Sequence, residues 1–250
     1  MEIERRNMQL TGQLILITGA TSGIGKALLR KFLTLNNQVI AVGRNPVKLR
    51  ELASSDSRII PFACDVSQNR DLERLSDFVK QNHRDTNILI NNAGIQFNYH
   101  FEVEEDTLDK IEYEVAVNLL APLKLITLLL SVLQNNVNPA IVNISSGLAI
   151  VPKSQAPVYC GTKAGIHIFT RSLRFQLDKI KVFEIIPPVV DTAMTADRKG
   201  DKISANQLVE EFIKAFENDR YEVNIGKVKL LRIIHRISPA LADRIMRWKS

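Results

Sequence analysis

Cysteine is nearly absent. Cys64 and Cys160 are the only two in 250 residues, far apart and without metal-ligand spacing. Such a pair cannot build a disulfide framework, and it suits a reducing, cytoplasmic compartment. Long hydrophobic runs are missing too. The richest, LLAPLKLITLLLSVL (119–133), contains Pro122 and Lys124 and falls short of the roughly 20 residues a spanning helix needs. It reads as a helix buried in a core or a subunit interface. The opening MEIERRNMQL has early charges and no apolar segment, so no signal peptide is expected. No low-complexity linker divides the chain. Most of it also lacks an excess of either charge. The net +6 arises entirely from Lys227 onward, where seven Lys or Arg face Asp243 alone. A balanced body gives a nucleic-acid-binding surface no support.

What is present is ordinary globular material, 45% apolar and 24% charged, arranged in two alternating patterns. Short β-rich runs occur at 13–18, 38–42, 58–63, 87–91, 140–145 and 181–186. Stretches with helical spacing lie between them, at 23–36, 46–55, 68–82, 104–135 and 157–178. This alternation predicts an α/β fold: a doubly wound parallel sheet, or Rossmann fold, with helices on both faces. The strands are almost continuously apolar, as strands covered on both sides must be. A polar segment at 195–207 reads as a mobile loop, followed by a helix near 205–218 and a strand near 221–225. The expected organisation is one catalytic domain over 1–226, with a basic amphipathic tail over 227–250 packed on it.

The first strand runs into TGATSGIG (18–25) and then a helical pattern. Gly19 allows a tight turn, Gly23 close approach of a ligand, and Gly25 close helix packing. The helix that opens there offers free N–H groups and its positive end to a pyrophosphate. The spacing differs from GxGxxG, so position in the chain carries the reading. At the end of the second strand Gly43 stands where an acid would hold the ribose of NAD, and Arg44 follows. A guanidinium without a competing carboxylate points to the 2′-phosphate of NADP rather than to NAD.

Further clusters fall at later strand ends: NNAG (91–94), NISSG (143–147) and PPVVDT (187–192), then YCGTK (159–163) at the start of a helix. In this order and over residues 10–226, they resemble the short-chain dehydrogenase/reductase family. Within it, SSGLAIVP and PVYCGTKAG are most similar to the bacterial DltE-like oxidoreductases. The resemblance implies an NADP-dependent enzyme that interconverts a carbonyl and a secondary alcohol by hydride transfer. Tyr159 would be the proton donor and acceptor, and Lys163, one turn along, would lower its pKa and hold the nicotinamide ribose. Ser146 would bind the substrate oxygen, Ser145 being the second choice, and Asn118 would hold a water in the proton relay. Gly19, Thr21, Ser22, Gly23, Ile24 and Gly25 would form the phosphate turn, with Arg44 beside it. Asp65 and Val66 would meet the adenine, Asn91 and Ala93 the ribose, and Val190 and Thr192 the carboxamide. No metal is implied. One departure stands out: Pro188 replaces the family's glycine and removes an N–H.

Other readings are a catalytically silent NADP-binding sensor, a sugar-nucleotide epimerase and a DNA-binding regulator. The complete set Asn118, Ser146, Tyr159 and Lys163 argues against the first. The short remainder of chain argues against the second, and the neutral body against the third. Gln96, Phe97, Leu148, Ile150, Val151 and Thr195 are candidates to line a largely apolar substrate pocket. A homodimer or a tetramer of dimers is expected through the fifth and sixth helices. In the tail, Leu230, Leu231, Ile233, Ile234 and Ile237 read as one side, with Lys229, Arg232 and Arg236 on the other. Ser238-Pro239 then starts a second helix with Leu241, Ile245 and Trp248 on its apolar face. The first expectation is packing on the body; reversible contact with anionic lipid is compatible with it.

Overall fold

Seven parallel strands carry the chain, and their side chains split into two cores by simple alternation. A computed structural model describes residues 7–98, 101–102 and 107–248, with the side chains of 247 and 248 set aside. β1 (Leu14–Thr18), β2 (Gln38–Gly43) and β3 (Ile59–Ala63) are laid outward in one direction. β4 (Thr86–Asn91), β5 (Ala140–Ile144), β6 (Lys181–Ile186) and β9 (Glu222–Asn224) are laid in the other, in the order β3-β2-β1-β4-β5-β6-β9. Ile15, Ile17, Val39, Ala41, Ile88 and Ile90 enter one cluster; Leu14, Leu16, Ile40, Val42 and Leu89 enter the other. A strand has a period of two, so a run apolar at every position feeds both faces.

Helices α1 (Gly23–Thr34) and α7 (Ala205–Glu217) supply Leu28, Phe32, Phe212 and Phe216 to the first cluster. Helices α3 (Asn69–Asn82) and α5 (Ala121–Gln134) cover the second with Leu72, Leu75, Leu125 and Leu129. α2 (Pro46–Ser55) is capped by Asn45, whose side chain accepts from the N–H groups of Val47 and Lys48. α4 (Thr107–Val115) joins α5 through a π-helical turn, Ala116–Leu120. Thr107–Gln134 is thus one helical stretch of 28 residues, long and apolar enough to cross a membrane by length and composition. That is longer than the uninterrupted apolar run in the sequence, but its inner side, Leu125, Ile126, Leu129 and Leu133, belongs to the second core. The helix expected from 104 begins in a segment, 103–106, outside the described residues.

The strand order reverses between β1 and β4, so the carboxyl ends there leave a crevice where ligands bind in such sheets. α6 (Pro157–Gln176) runs from one wall of it. The 195–207 segment carries more structure than a free loop: Arg198 N–H bonds Thr195 O, Lys202 Nζ bonds Thr195 O, and β8 (Ile203–Ser204) pairs with β7 (Val190–Asp191).

The tail forms α8 (Val228–Ile237) and α9 (Pro239–Trp248), split at Ser238-Pro239 as expected; Ser238 Oγ accepts from Leu241 N–H at 3.3 Å. Its rotation differs from the expectation. Val228 and Leu231 turn inward onto Gly147 and Arg232 turns to β9, whereas Leu230, Ile233 and Ile237 are 59%, 57% and 79% exposed. The cause is charge. Glu184 on β6 is fully buried against His167, and Glu222 on the adjacent β9 forms an ion pair with Arg232. Carboxylates at the sheet edge take a cation inward, and Leu230, Ile233 and Ile237 turn out. On α9, Leu241 is 49% exposed and Ala242 makes the inner contact; the side chain of Trp248 lies outside the described residues.

Candidate active site

Two loops are locked together at the strand reversal. Thr18 Oγ1 accepts from both Asn92 N–H and Ala93 N–H at 3.0 Å, and Asn92 Nδ2 donates to Thr18 O at 2.8 Å. Gly25 completes the junction. A Cβ there would lie 2.3 Å from Gly19 O and 2.5 Å from Asn92 Nδ2, an approach only glycine permits. Asn92 was missing from the sequence reading, although its doubling with Asn91 was visible.

The glycine turn fits a dinucleotide phosphate. Gly19 and Gly23 take positive φ of 67° and 51°. The start of α1 has no side-chain cap from Ser22 and no acid in its first turn, so its N–H groups are left for an anion. Thr21 packs over Gly43: a Cβ there would meet Thr21 Cγ2 at 3.0 Å, so a carboxylate at 43 would displace Thr21. Arg44 is exposed, lies over the Tyr113 ring and donates to its hydroxyl. Across the turn, Thr192 Cγ2 comes within 3.1 Å of the Cβ position of Gly23, and Ile24 packs on the first core.

Other expected contacts are placed differently. Asp65 Oδ1 accepts from Ser67 N–H and Ser67 Oγ, closing its own turn, while Val66 is buried. Asn91 turns its side chain away from the crevice, donating to Asn143 Oδ1 at 2.9 Å; Asn143 in turn donates to Thr170. Its Oδ1 is buried without a hydrogen-bond partner among the described residues. Thr195 is buried and donates to Val190 O, and Thr192 N–H points at Thr195 Oγ1 at 3.3 Å. Thr195 therefore fixes the turn instead of lining a pocket. Val151 is fully buried and lines none either. Leu148 and Ile150 do line a cleft of about 1050 Å³, together with Lys153, Pro157 and Cys160 and, from α9, Ala240, Asp243 and Arg244; Ser146, Tyr159 and Lys163 are not part of its lining. Gln96 receives a hydrogen bond from Arg198, a residue the sequence reading did not single out. Pro187 O accepts from Gly147 N–H at 2.9 Å, which pins the two-proline turn beside Ser146.

The reactive side chains converge. Ser146 begins the loop after β5, and its Oγ accepts from Leu148 N–H at 3.1 Å. Ser145 instead turns to Ile185 O on β6. Tyr159 and Lys163 share one side of α6; Lys163 Nζ lies 5.6 Å from the Tyr159 ring centroid and donates to Ile144 O at 2.9 Å. Asn118, on the π turn, clasps Ile95 in both directions: Nδ2 to Ile95 O and Ile95 N–H to Oδ1, each 2.8 Å. A Cβ on Gly94 would lie 3.4 Å from both Asn118 Oδ1 and Lys163 Nζ, so a bare backbone keeps that floor open.

Electrostatics here are ruled by burial. The Tyr159 hydroxyl is pushed up to about 12 by desolvation, against smaller lowering effects of the Ser146 hydrogen bond and the Arg198 charge. Lys163 is pushed down to about 8, again by desolvation, with Glu114 and Glu184 opposing. Desolvation of Tyr159 is the largest effect on its hydroxyl and works against the lowering expected from a neighbouring cation. Glu114, one turn before Asn118, is pushed up to about 7, first by desolvation.

The model of the short chain dehydrogenases matches residues 13–203. The chain belongs to that family. Among its relatives is the uncharacterized oxidoreductase DltE of Bacillus subtilis (strain 168), 34% identical over 233 residues, 90% of this chain and 92% of that protein. A short chain dehydrogenase from Burkholderia cenocepacia J2315 in complex with NADP shares the fold, with a TM-score of 0.86, 24% identity, and 96% and 99% of the two chains covered. A short chain dehydrogenase/reductase from Burkholderia phymatum in complex with NAD does so with a TM-score of 0.82, 17% identity, and 96% and 97% covered.

Proposed function

We propose that this short-chain dehydrogenase is an NADP-dependent oxidoreductase acting on a ketone or secondary alcohol with an apolar part. The observation that carries the reading is the convergence of Ser146, Tyr159 and Lys163 at the strand reversal, with Tyr159 held as a neutral hydroxyl. NADPH would supply the hydride. Ser146 orients the substrate oxygen, and Tyr159 gives that oxygen its proton as the carbonyl becomes an alcohol. Lys163, anchored on Ile144 O, stabilises the phenolate left behind, and its charge makes the proton easier to release. The apolar wall formed by Leu148, Ile150 and Pro157 receives the rest of the substrate. The absence of an acid at 43, the pressure of Thr21 on that position and the nearby Arg44 favour NADPH over NADH.

A panel of ketones and alcohols, followed at the nicotinamide absorbance, tests the activity. With a substrate in hand, Tyr159→Phe should lose at least about 100-fold in kcat, the scale of general acid catalysis, while NADPH affinity stays within about two-fold. Near-normal turnover by that variant would defeat the mechanism. A wild type inactive on the whole panel that still binds NADPH would favour a sensor.

A further inference from the structure

Glu114 is a buried acid beside the reactive residues that this mechanism leaves unused. It is fully buried, Oε1 accepts from Phe97 N–H at 3.3 Å, and Oε2 has no hydrogen-bond partner among the described residues. Its seat follows from matching repeats. Four helical residues rise about 6 Å, and two extended residues span about 6.6 Å. Asn118 therefore meets Ile95, and Glu114 meets Phe97, as successive rungs. The Asn118 rung is complete in both directions, while the Glu114 rung uses one oxygen only.

A role limited to holding Phe97 would be served by glutamine, which brings no charge to bury; glutamate adds an ionisable carboxyl. Among the described residues, the titratable groups that act on Glu114 lie on α6: Lys163, whose charge it favours, and Tyr159 and Cys160, whose ionisation it opposes. The loop at 95–97 presents it the Phe97 N–H. A carboxyl placed there, and held by burial near neutrality, is suited to exchange protons with its neighbours.

We propose that Glu114 is the proton store behind the Tyr159–Lys163 pair, a role that rests on the reductase reading above. In reduction, the Tyr159 O–H bond breaks and its proton goes to the substrate oxygen, leaving phenolate. The Lys163 ammonium passes a proton to that phenolate and becomes an amine. Protonated Glu114 then restores the ammonium and becomes carboxylate, and solvent reprotonates it between turnovers. Alcohol oxidation runs the same transfers in reverse.

The test uses the full chain, NADPH and the best ketone from the panel. Reduction requires protonated Glu114, so wild-type kcat should fall as pH rises through about 7. Glu114→Gln keeps an oxygen for Phe97 but no transferable proton. It should lower kcat about 10- to 100-fold and remove that limb of the pH profile, with NADPH affinity unchanged. Glu114→Asp should retain the limb. An infrared band of a protonated carboxyl should bleach between pH 6 and 8 in wild type and be missing in Glu114→Gln, a readout independent of turnover. Unaltered kcat and pH profile in Glu114→Gln, or no such band in wild type, overturns the proposal while leaving the reductase reading intact. Wild-type inactivity on every ketone would instead strike the reductase reading, and this role with it.

Discussion

At the scale of single residues, desolvation outweighs neighbouring charge across the site. Tyr159, Glu114 and Lys163 are all drawn toward their neutral forms, because a dry site penalises whichever form is charged. A neutral tyrosine is poised to donate a proton, which suits reduction. The cofactor end follows a different logic, since Arg44 is exposed and free of acidic neighbours at 43. Arg44→Asp should place a carboxylate where a 2′-phosphate would sit and shift the NADPH-to-NADH affinity ratio at least about 10-fold toward NADH. Titrating both cofactors by nicotinamide fluorescence reads this directly, and an unchanged ratio would remove the arginine from cofactor choice.

At the scale of elements, α8 is held by polar contacts that apolar patterning alone would not assign. Arg232 reaches Glu222 and Asn224 on β9, and Glu222 stands beside Glu184 and His167. Arg232→Leu would leave those carboxylates without their cation. The pair is partly exposed, so the expected loss is modest, about 1 to 2 kcal/mol, or a drop of several degrees in Tm for a chain of this size. Hydrogen exchange should quicken across 228–237 and stay unchanged in β1, β4 and β5. Uniform exchange across the whole chain would show that the ion pair does not hold α8 in place. The π turn at 116–120 is a second such device, carrying Asn118 to Ile95 within an otherwise regular helix.

At the scale of the whole molecule, exposed apolar residues gather on two helical surfaces among the described residues. Ile168 and Phe175 on α6 are 59% and 85% exposed, with Leu120 beside α5 also exposed. Two-fold pairing of these helices would bury all three, so sedimentation at micromolar concentration should give a dimer or a multiple of it. Phe175→Asp should shift it toward a species of about 28 kDa, and a wild type already monomeric would contradict the pairing. The second surface is Leu230, Ile233, Ile237 and Leu241, bordered by Lys229, Arg236 and Arg244. An apolar strip edged by bases suits anionic lipid. Flotation with vesicles of three parts phosphatidylcholine to one part phosphatidylglycerol should carry the protein at low salt, less at high salt, and not at all with Ile233→Asp. Failure of the wild type to float at low salt would dismiss lipid as the partner of that strip.

By itself, the sequence determined the elements and marked Ser146, Tyr159 and Lys163 as the candidate site. Strand runs, glycine turns and the Tyr159–Lys163 spacing are local signals, and the backbone answers them locally; the Ser238-Pro239 break between α8 and α9 is of the same kind. Ser146 adds the thirteen-residue separation that β5 and α6 then close. Only tertiary structure decided which way α8 faces, because the cation that turns it is called in by carboxylates on β6 and β9, distant in sequence. Glu114 was hidden for a related reason: as the last of the acids spread over 102–114 it looks like a solvated helix residue. Asn91 lay in the expected motif, yet its side chain was claimed by Asn143 across the sheet. In each of these cases burial or a long-range polar partner, not the local pattern, set the orientation of the side chain.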